Sequence, residues 1–171
     1  MANTVDILNL SKYLVLRFQN EGIPLTPLKL QKLLYYIQAW HTVFFEKHSL
    51  FNEEPEAWAN GPVYRSVYDI YKNQWLRNTP IVMPVTTSDK LLEDAKTVYN
   101  GLKLEGEQKK YLEALLKKYG QLSPERLVFM THSEAPWNDA REGLGPFDKC
   151  DQKISTESMF QYYNNRIAKK S

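Results

Sequence analysis

The chain has 171 residues, of which 43% are hydrophobic and 25% are charged, which is the composition of an ordinary globular protein of one domain. Its formal net charge of +2 is too small to indicate a nucleic-acid partner. A single cysteine, Cys150, excludes an internal disulfide and a thiolate zinc cluster, and no apolar run approaches the roughly 18 residues of a membrane span. Because the N-terminal segment also lacks the basic start of a signal peptide, we expect a cytoplasmic protein with no membrane partner.

Two helices are predicted before residue 46. The first has Asn3 or Thr4 as its N-cap and ends at Gly22. The second starts after Thr26, whose hydroxyl can accept from the free amides of a first turn, and runs to Phe45. Its apolar residues recur at helical spacing and predict the core helix of the fold: Leu30, Leu33, Leu34, Ile37, Trp40, Phe44 and Phe45.

A turn-rich segment over residues 55–62 interrupts the helical pattern. It is too short for a helix, so we expect a short strand or extended segment that leads to a helix beginning at Pro62 and running to about Gln74. Residues 80–85 contain two prolines and are predicted to be extended, at a sheet edge or in a loop. The helix after Pro62 presents one face with i, i+3, i+4 and i+7 spacing: Tyr64, Val67, Tyr68 and Tyr71.

Four more helical segments are predicted in the second half of the chain. They cover residues 89–99 after a Ser88 cap, residues 107–119, a short helix after Ser123, and a final helix opened by Ser155. Residues 135–146 are predicted to form a loop. The expected fold is mainly α with a minor β element: one domain over residues 1–171, with six to seven helices and a short hairpin or extended segment.

Catalytic, cofactor and metal sites have no signature in this sequence. The three histidines, His41, His48 and His132, fall on different segments without carboxylate or cysteine partners at ligand spacing. His132 precedes Trp137 by five positions and reads first as a histidine hydrogen-bonded in a packed corner. The alternative is an enzyme that uses His132 in a pocket with Trp58 or Trp137, which nothing else in the sequence supports.

Two segments are candidates for contact with a partner. Lys29, Lys32 and Tyr36 share the helix face opposite the leucine stripe, which is either a solvated face or a partner-binding surface. Trp58 stands beside the tight Gly61-Pro62 turn, where it either fills the core or anchors an interface. A DNA-binding regulator is a weaker alternative, because the helix that carries the lysines is too apolar further on to lie in a groove.

Three motifs occur together in a specific order: Leu-Thr-Pro-Leu-Lys-Leu-Gln-Lys-Leu-Leu-Tyr-Tyr over residues 25–36, Glu-Ala-Trp-Ala-Asn-Gly-Pro-Val-Tyr over residues 56–64, and Thr131-His132 followed by Ala135-Pro136-Trp137. In this order and spacing they resemble the Panacea domain family, also called the phage-associated GepA/SocA-like family. The resemblance covers most of the chain, and the combination of motifs is more specific than any one of them.

The resemblance implies a non-enzymatic antitoxin that binds a toxin encoded by a neighbouring gene, often on a prophage. One branch of the family acts as an adaptor that delivers its toxin to a protease, so a protease is a second implied partner. Many members carry an additional N-terminal module, often one that binds DNA. Here only one predicted helix precedes Leu25, so we do not expect operator binding by such a module. Exposed aromatic side chains would also suit a homodimer.

Under this resemblance two groups of residues are predicted to have different roles. The first group builds the fold: Leu33, Trp58, Gly61, Pro62, Thr131, His132 and Trp137. The second group is expected to contact the partner: the surface of Lys29, Lys32 and Tyr36, and the face of Tyr64, Tyr68 and Tyr71 where it is not buried.

Overall fold

Thr26 and Pro27 begin the central helix of the protein. In the computed structural model, which describes residues 2–84 and 87–170, the Thr26 hydroxyl accepts from the amide of Lys29, and Pro27 occupies the first turn as predicted. Eight helices and two strands form in the described residues: α1 Ile7–Asn20, α2 Pro27–Phe44, β1 Glu56–Trp58, β2 Gly61–Val63, α3 Arg65–Arg77, α4 Ser88–Gly101, α5 Gly106–Tyr119, α6 Pro124–His132, α7 Ala135–Ala140 and α8 Thr156–Lys170.

Helix α2 is buried on almost all sides. It packs against α3, α5, α6, α8 and β2, while α1 packs mainly against α4. Leu30, Leu33, Leu34 and Ile37 have no solvent exposure, as expected for the core helix. The prediction fails at the end of the helix, where His41 and Thr42 are buried but Phe44 is 59% exposed.

The two strands form an antiparallel hairpin in which Ala57 pairs with Pro62 and Trp58 with Gly61. The prediction of a short strand is confirmed, but the prediction that Pro62 begins a helix is wrong. Gly61 adopts a φ of +107°, which turns the chain back beside β1, and α3 begins only at Arg65. Residues 152–154 run along the outer side of β1, where the amide of Ala57 donates to the carbonyl of Gln152 at 2.9 Å.

Two helix starts differ from the prediction for local reasons. Asp6, rather than Asn3 or Thr4, caps α1, because its carboxylate accepts from the amides of Leu8 and Asn9. Thr87 caps α4, so Ser88 is its first residue.

Residues 135–140 form the short helix α7 instead of the predicted loop, because a proline in the first helical turn stabilises a helix as readily as it ends one. This helix raises the number above the six to seven expected. The segment over residues 79–84 has no regular secondary structure, and Val85 lies outside the described residues.

Candidate partner-binding surface around Trp58

Polar side chains of α2 hold the hairpin and the ends of two other helices. Lys32 donates from Nζ to the carbonyl of Pro62 at 2.9 Å. Gln31 binds both backbone groups of Tyr64, accepting from its amide at 2.8 Å and donating to its carbonyl at 3.1 Å. Lys29 donates to the carbonyl of Gly120 at the end of α5 at 2.8 Å. These three residues therefore attach α2 to the β2–α3 connection and to α5.

The predicted exposed face of α2 does not exist. Lys29 is 4% exposed, and Lys32 and Tyr36 have no exposure. Their polar atoms bind groups inside the protein, so burial leaves none of them unpaired. Because Lys32 is fully buried, desolvation lowers its pKa to about 7.

The predicted tyrosine face of α3 is also mostly buried. Tyr64 has no exposure and Tyr71 is 8% exposed, whereas Tyr68 is only partly buried. The hydroxyl of Tyr64 is buried without a hydrogen-bond partner in the described residues. Of the six predicted contact residues, only Tyr68 remains within reach of a partner.

Glu134 binds the hydroxyl of Tyr36, and sequence reasoning missed this residue. Its carboxylate also accepts from the hydroxyl of Tyr163 at 2.8 Å and from Arg166 at 2.7 Å. Burial raises the pKa of Glu134, although the hydrogen bonds from the two tyrosines and Arg166 act in the opposite direction. The cluster joins α2 to α8 through the residue that precedes α7, and no local spacing in the sequence indicates it.

Helix α7 fixes the outer strand of the hairpin. Trp137 donates from its indole to the carbonyl of Trp58 at 2.7 Å. Arg141, just after the helix, is 5% exposed and donates to the carbonyl of Ala57 at 2.8 Å. Its guanidinium also binds two carbonyls of the following loop and lies 5.1 Å from the ring of Trp137, so it is a buried cation held by backbone oxygens and an indole ring.

The ring of His132 lies flat on Trp137, with centroids 4.1 Å apart and planes 15° from parallel. Its Nε2 has no hydrogen-bond partner in the described residues. Burial is the main cause of the lowered pKa of His132, to which the nearby Lys32 and Arg141 contribute. In this arrangement the imidazole packs against the indole as a ring, and no carboxylate or thiol of residues 2–84 and 87–170 is hydrogen-bonded to it.

Gly61 and Thr131 complete the buried contact under the hairpin. A Cβ at Gly61 would lie 2.4 Å from Cε of Lys32 and 2.9 Å from the hydroxyl of Thr131. Thr131 is 1% exposed and donates to the carbonyl of Val128 at 2.8 Å. The three predicted motifs therefore meet at one place, and we call this group the motif core: Lys32, Gly61, Pro62, Thr131, His132, Trp137 and Arg141.

On the solvent side of the hairpin, Trp58, Arg65, Tyr68 and Trp75 form a continuous cluster that we call the Trp58 surface. The three rings meet edge to face, with Trp58 4.9 Å from Tyr68 and 5.9 Å from Trp75, and Tyr68 5.6 Å from Trp75. The guanidinium of Arg65 lies 5.0 Å from the ring of Trp58. The rings are partly buried and Arg65 is exposed, so a partner can reach all four side chains.

The carboxylate of Glu56 orients two side chains of this cluster. Its carboxylate accepts from the indole of Trp58 at 3.0 Å and from two nitrogens of Arg65 at 3.2 and 3.3 Å. Burial alone would raise the pKa of Glu56, but the hydrogen bonds from Arg65 and Trp58 outweigh it and hold the pKa below its ordinary value. The carboxylate therefore stays ionised at neutral pH and fixes both side chains.

A hollow of about 610 Å³ lies beside the Trp58 surface. Trp58, Arg65 and Tyr68 form part of its wall, and Phe147 stands at its edge with 91% of its side chain exposed. An exposed phenylalanine next to partly buried tryptophan and tyrosine rings extends the apolar area that a partner could cover.

The described residues, 2–84 and 87–170, contain neither a metal-ligand cluster nor a membrane-spanning helix. No group of three or more His, Cys, Asp and Glu side chains in this part of the chain is arranged to hold a metal ion. None of the described helices combines the length and apolar composition that a membrane span requires.

Comparison with known proteins links this geometry to one family. A family model described as "Antitoxin SocA-like, Panacea domain" matches residues 30–138, which is more than half of the chain. The match includes the hairpin, the whole Trp58 surface and Trp137. No curated protein and no solved structure matches the chain. The chain therefore belongs to the SocA-like antitoxin family with a Panacea domain, a family not known for enzymatic activity.

Proposed function

We propose that the protein is an antitoxin that neutralises a cognate protein toxin, encoded by a neighbouring gene, by binding it directly through the Trp58 surface. The observation that carries the proposal is the solvent-accessible cluster of the partly buried Trp58, Tyr68 and Trp75 rings, with the exposed Arg65 stacked on Trp58. Tryptophan, tyrosine and arginine are the residue types enriched at the points of protein interfaces that contribute most to affinity.

The rigidity of the cluster supports this role. Two hydrogen bonds hold Trp58: its indole N–H donates to the carboxylate of Glu56, and its carbonyl accepts from the indole of Trp137. Side chains that are already ordered lose little conformational entropy on binding, so more of the contact energy contributes to affinity. A hairpin fixed by the motif core and carrying such side chains is suited to mask a surface of another protein.

The test is co-expression with the neighbouring gene in cells, scored for growth and followed by co-purification. The wild-type chain is expected to restore growth and to form a stable complex with the toxin. The double variant Tyr68→Ala/Trp75→Ala is expected to weaken the complex at least tenfold, about 1.4 kcal/mol or more, because two of the three rings of the Trp58 surface are lost.

A matched control lies on the same helix. Ile70 and Leu76 are 58% and 76% exposed and do not take part in the ring cluster. The double variant Ile70→Ala/Leu76→Ala should therefore bind as the wild type does. Rescue of growth without any complex contradicts direct neutralisation, and equal binding by both double variants contradicts the Trp58 surface.

Toxin abundance during the same experiment distinguishes masking from delivery to a protease. Masking leaves the amount of toxin unchanged, whereas an adaptor lowers it in a manner that depends on a cellular protease. We expect unchanged toxin levels with a stable complex.

A further inference from the structure

A second candidate site lies where α5 and α8 both flank the end of α2. The groove between them has a volume of about 340 Å³. Trp40 and Phe44 of α2 line it together with Tyr111 and Leu115 of α5 and Ile167 of α8. It shares no residue with the Trp58 surface, so it is independent of the proposed function.

The groove exposes apolar side chains that a folded protein ordinarily covers. Phe44 is 59% exposed and Ile167 is 38% exposed. The polar atom of Trp40 is already satisfied, since its indole donates to the hydroxyl of Tyr119 at 2.8 Å. An occupant can therefore make apolar contacts with the floor of the groove without supplying a hydrogen-bond partner to Trp40.

The charge at the edge of the groove is positive. Lys118 and Arg166 are among the residues that line it, and no carboxylate is. Lys118 has no ion pair in the described part of the chain and lies 5.7 Å above the ring of Tyr119. Arg166 pairs with Glu134 but keeps 41% of its side chain exposed. An occupant that carries negative charge next to apolar side chains would complement this edge.

The shape of the groove favours a helix as the occupant. The side chains that α5 contributes run from Tyr111 to Tyr119, a rise of about 12 Å or two helical turns. The groove lies between two helices, α5 and α8, and a third helix, α2, forms its floor. Such a groove accepts the apolar face of a further helix, whose anchor residues lie at i, i+3, i+4 and i+7. We propose that this groove binds an acidic amphipathic helix of a protein partner.

The proposal can be tested with synthetic peptides and the full chain. The probe is a labelled peptide of about 18 residues, long enough to populate a helix, with leucine at i, i+3, i+4 and i+7 and glutamate at the exposed positions. The control peptide has lysine in place of each glutamate. Fluorescence anisotropy is expected to show tighter binding of the glutamate peptide, with a difference that decreases as salt is added.

Two variants assign the binding to the groove. Phe44→Ala is expected to weaken binding of the glutamate peptide about tenfold, whereas Ile70→Ala, which removes an equally exposed side chain elsewhere, leaves it unchanged. Lys118→Glu is expected to weaken it at least about fivefold, whereas Lys109→Glu, an exposed site on α5 outside the groove, changes it less than about twofold. Lys118→Glu and Lys109→Glu have the same net charge, so a difference between them reports the effect of charge at the groove rather than the effect of the net charge of the protein.

Several results would overturn the proposal. These are the absence of peptide binding, equal binding of the two peptides, and equal loss of affinity in Lys118→Glu and Lys109→Glu. Sedimentation of the chain without peptide supplies a further check. A dimer that Phe44→Ala dissociates would assign the groove to a second copy of the chain and would also overturn it.

Discussion

Basic side chains serve two different purposes around the β1–β2 hairpin. In the motif core, Lys32 and Arg141 are buried and bind backbone carbonyls of the two strands. On the Trp58 surface, Arg65 is exposed, pairs with Glu56 and lies over an indole ring. Two buried basic side chains, which a partner cannot reach, therefore hold the hairpin in place. The basic side chain of Arg65 is exposed, so a partner can reach it.

This difference shows how one hairpin can depend on basic side chains both for its structure and for its contact surface. A buried cation bound to a carbonyl has no alternative partner, so its removal leaves an unsatisfied acceptor and a cavity. An exposed cation over a ring exchanges easily with water and contributes little to folding. We therefore expect substitutions in the motif core to affect stability and substitutions on the Trp58 surface to affect binding.

The largest effect on stability is expected for Gly61→Ala. The new Cβ would sit 2.4 Å from Cε of Lys32 and 2.9 Å from the hydroxyl of Thr131, in a backbone conformation with φ of +107°. Overpacking and backbone strain together should lower the free energy of unfolding by more than about 3 kcal/mol. Urea denaturation followed by circular dichroism measures this change.

Gly22→Ala is the control for the backbone contribution. Gly22 also has a positive φ, +71°, but a Cβ there would meet no atom within 4 Å. This substitution should lower the free energy of unfolding by about 1 kcal/mol, because only the left-handed backbone conformation is unfavourable for alanine. Equal destabilisation by the two variants would show that the close contact under the hairpin has no energetic role.

A smaller effect, which depends on pH, is expected at Lys32. Its pKa is lowered to about 7 in the folded protein, while the unfolded chain keeps the ordinary lysine value. Between these two values the unfolded chain binds a proton that the folded protein does not, so stability increases as pH rises through this window. Below pH 7 both states are protonated, and the cost of burying the charge is fully present.

The comparison is made with Lys32→Met, which cannot titrate. From pH 7 to pH 9 the free energy of unfolding of the wild type should increase by about 2 kcal/mol relative to this variant. Lys109→Met, at an exposed position, should keep the pH dependence of the wild type. Parallel curves for the wild type and Lys32→Met would rule out a buried lysine that loses its charge.

The smallest effect on stability is expected for Arg65→Met. The side chain of Arg65 is 52% exposed, so the loss of its pair with Glu56 should change the free energy of unfolding by less than about 1 kcal/mol. Binding of the toxin should nevertheless weaken about tenfold, because the cation leaves the centre of the Trp58 surface. Thermal unfolding and titration of the purified complex measure the two effects. A variant that unfolds easily but binds normally would reverse the roles assigned to the two regions.

Local signals in the sequence determined where several helices begin. Thr26 with Pro27 and Ser123 with Pro124 start α2 and α6 as predicted, because a cap and the proline after it depend only on their immediate neighbours. The mainly α fold with a minor β element is likewise confirmed. The family resemblance is confirmed by the match over residues 30–138.

The tertiary structure alone decided which polar residues are buried. Lys29, Lys32 and Tyr36 looked like one exposed face because their partners, Gly120, Pro62 and Glu134, lie 91, 30 and 98 residues away in the chain. Their burial depends on carbonyl and carboxylate acceptors that reach α2 only when the other helices pack around it. Helical spacing records which side chains share a face, but it contains no information about the acceptors that a distant segment brings to that face.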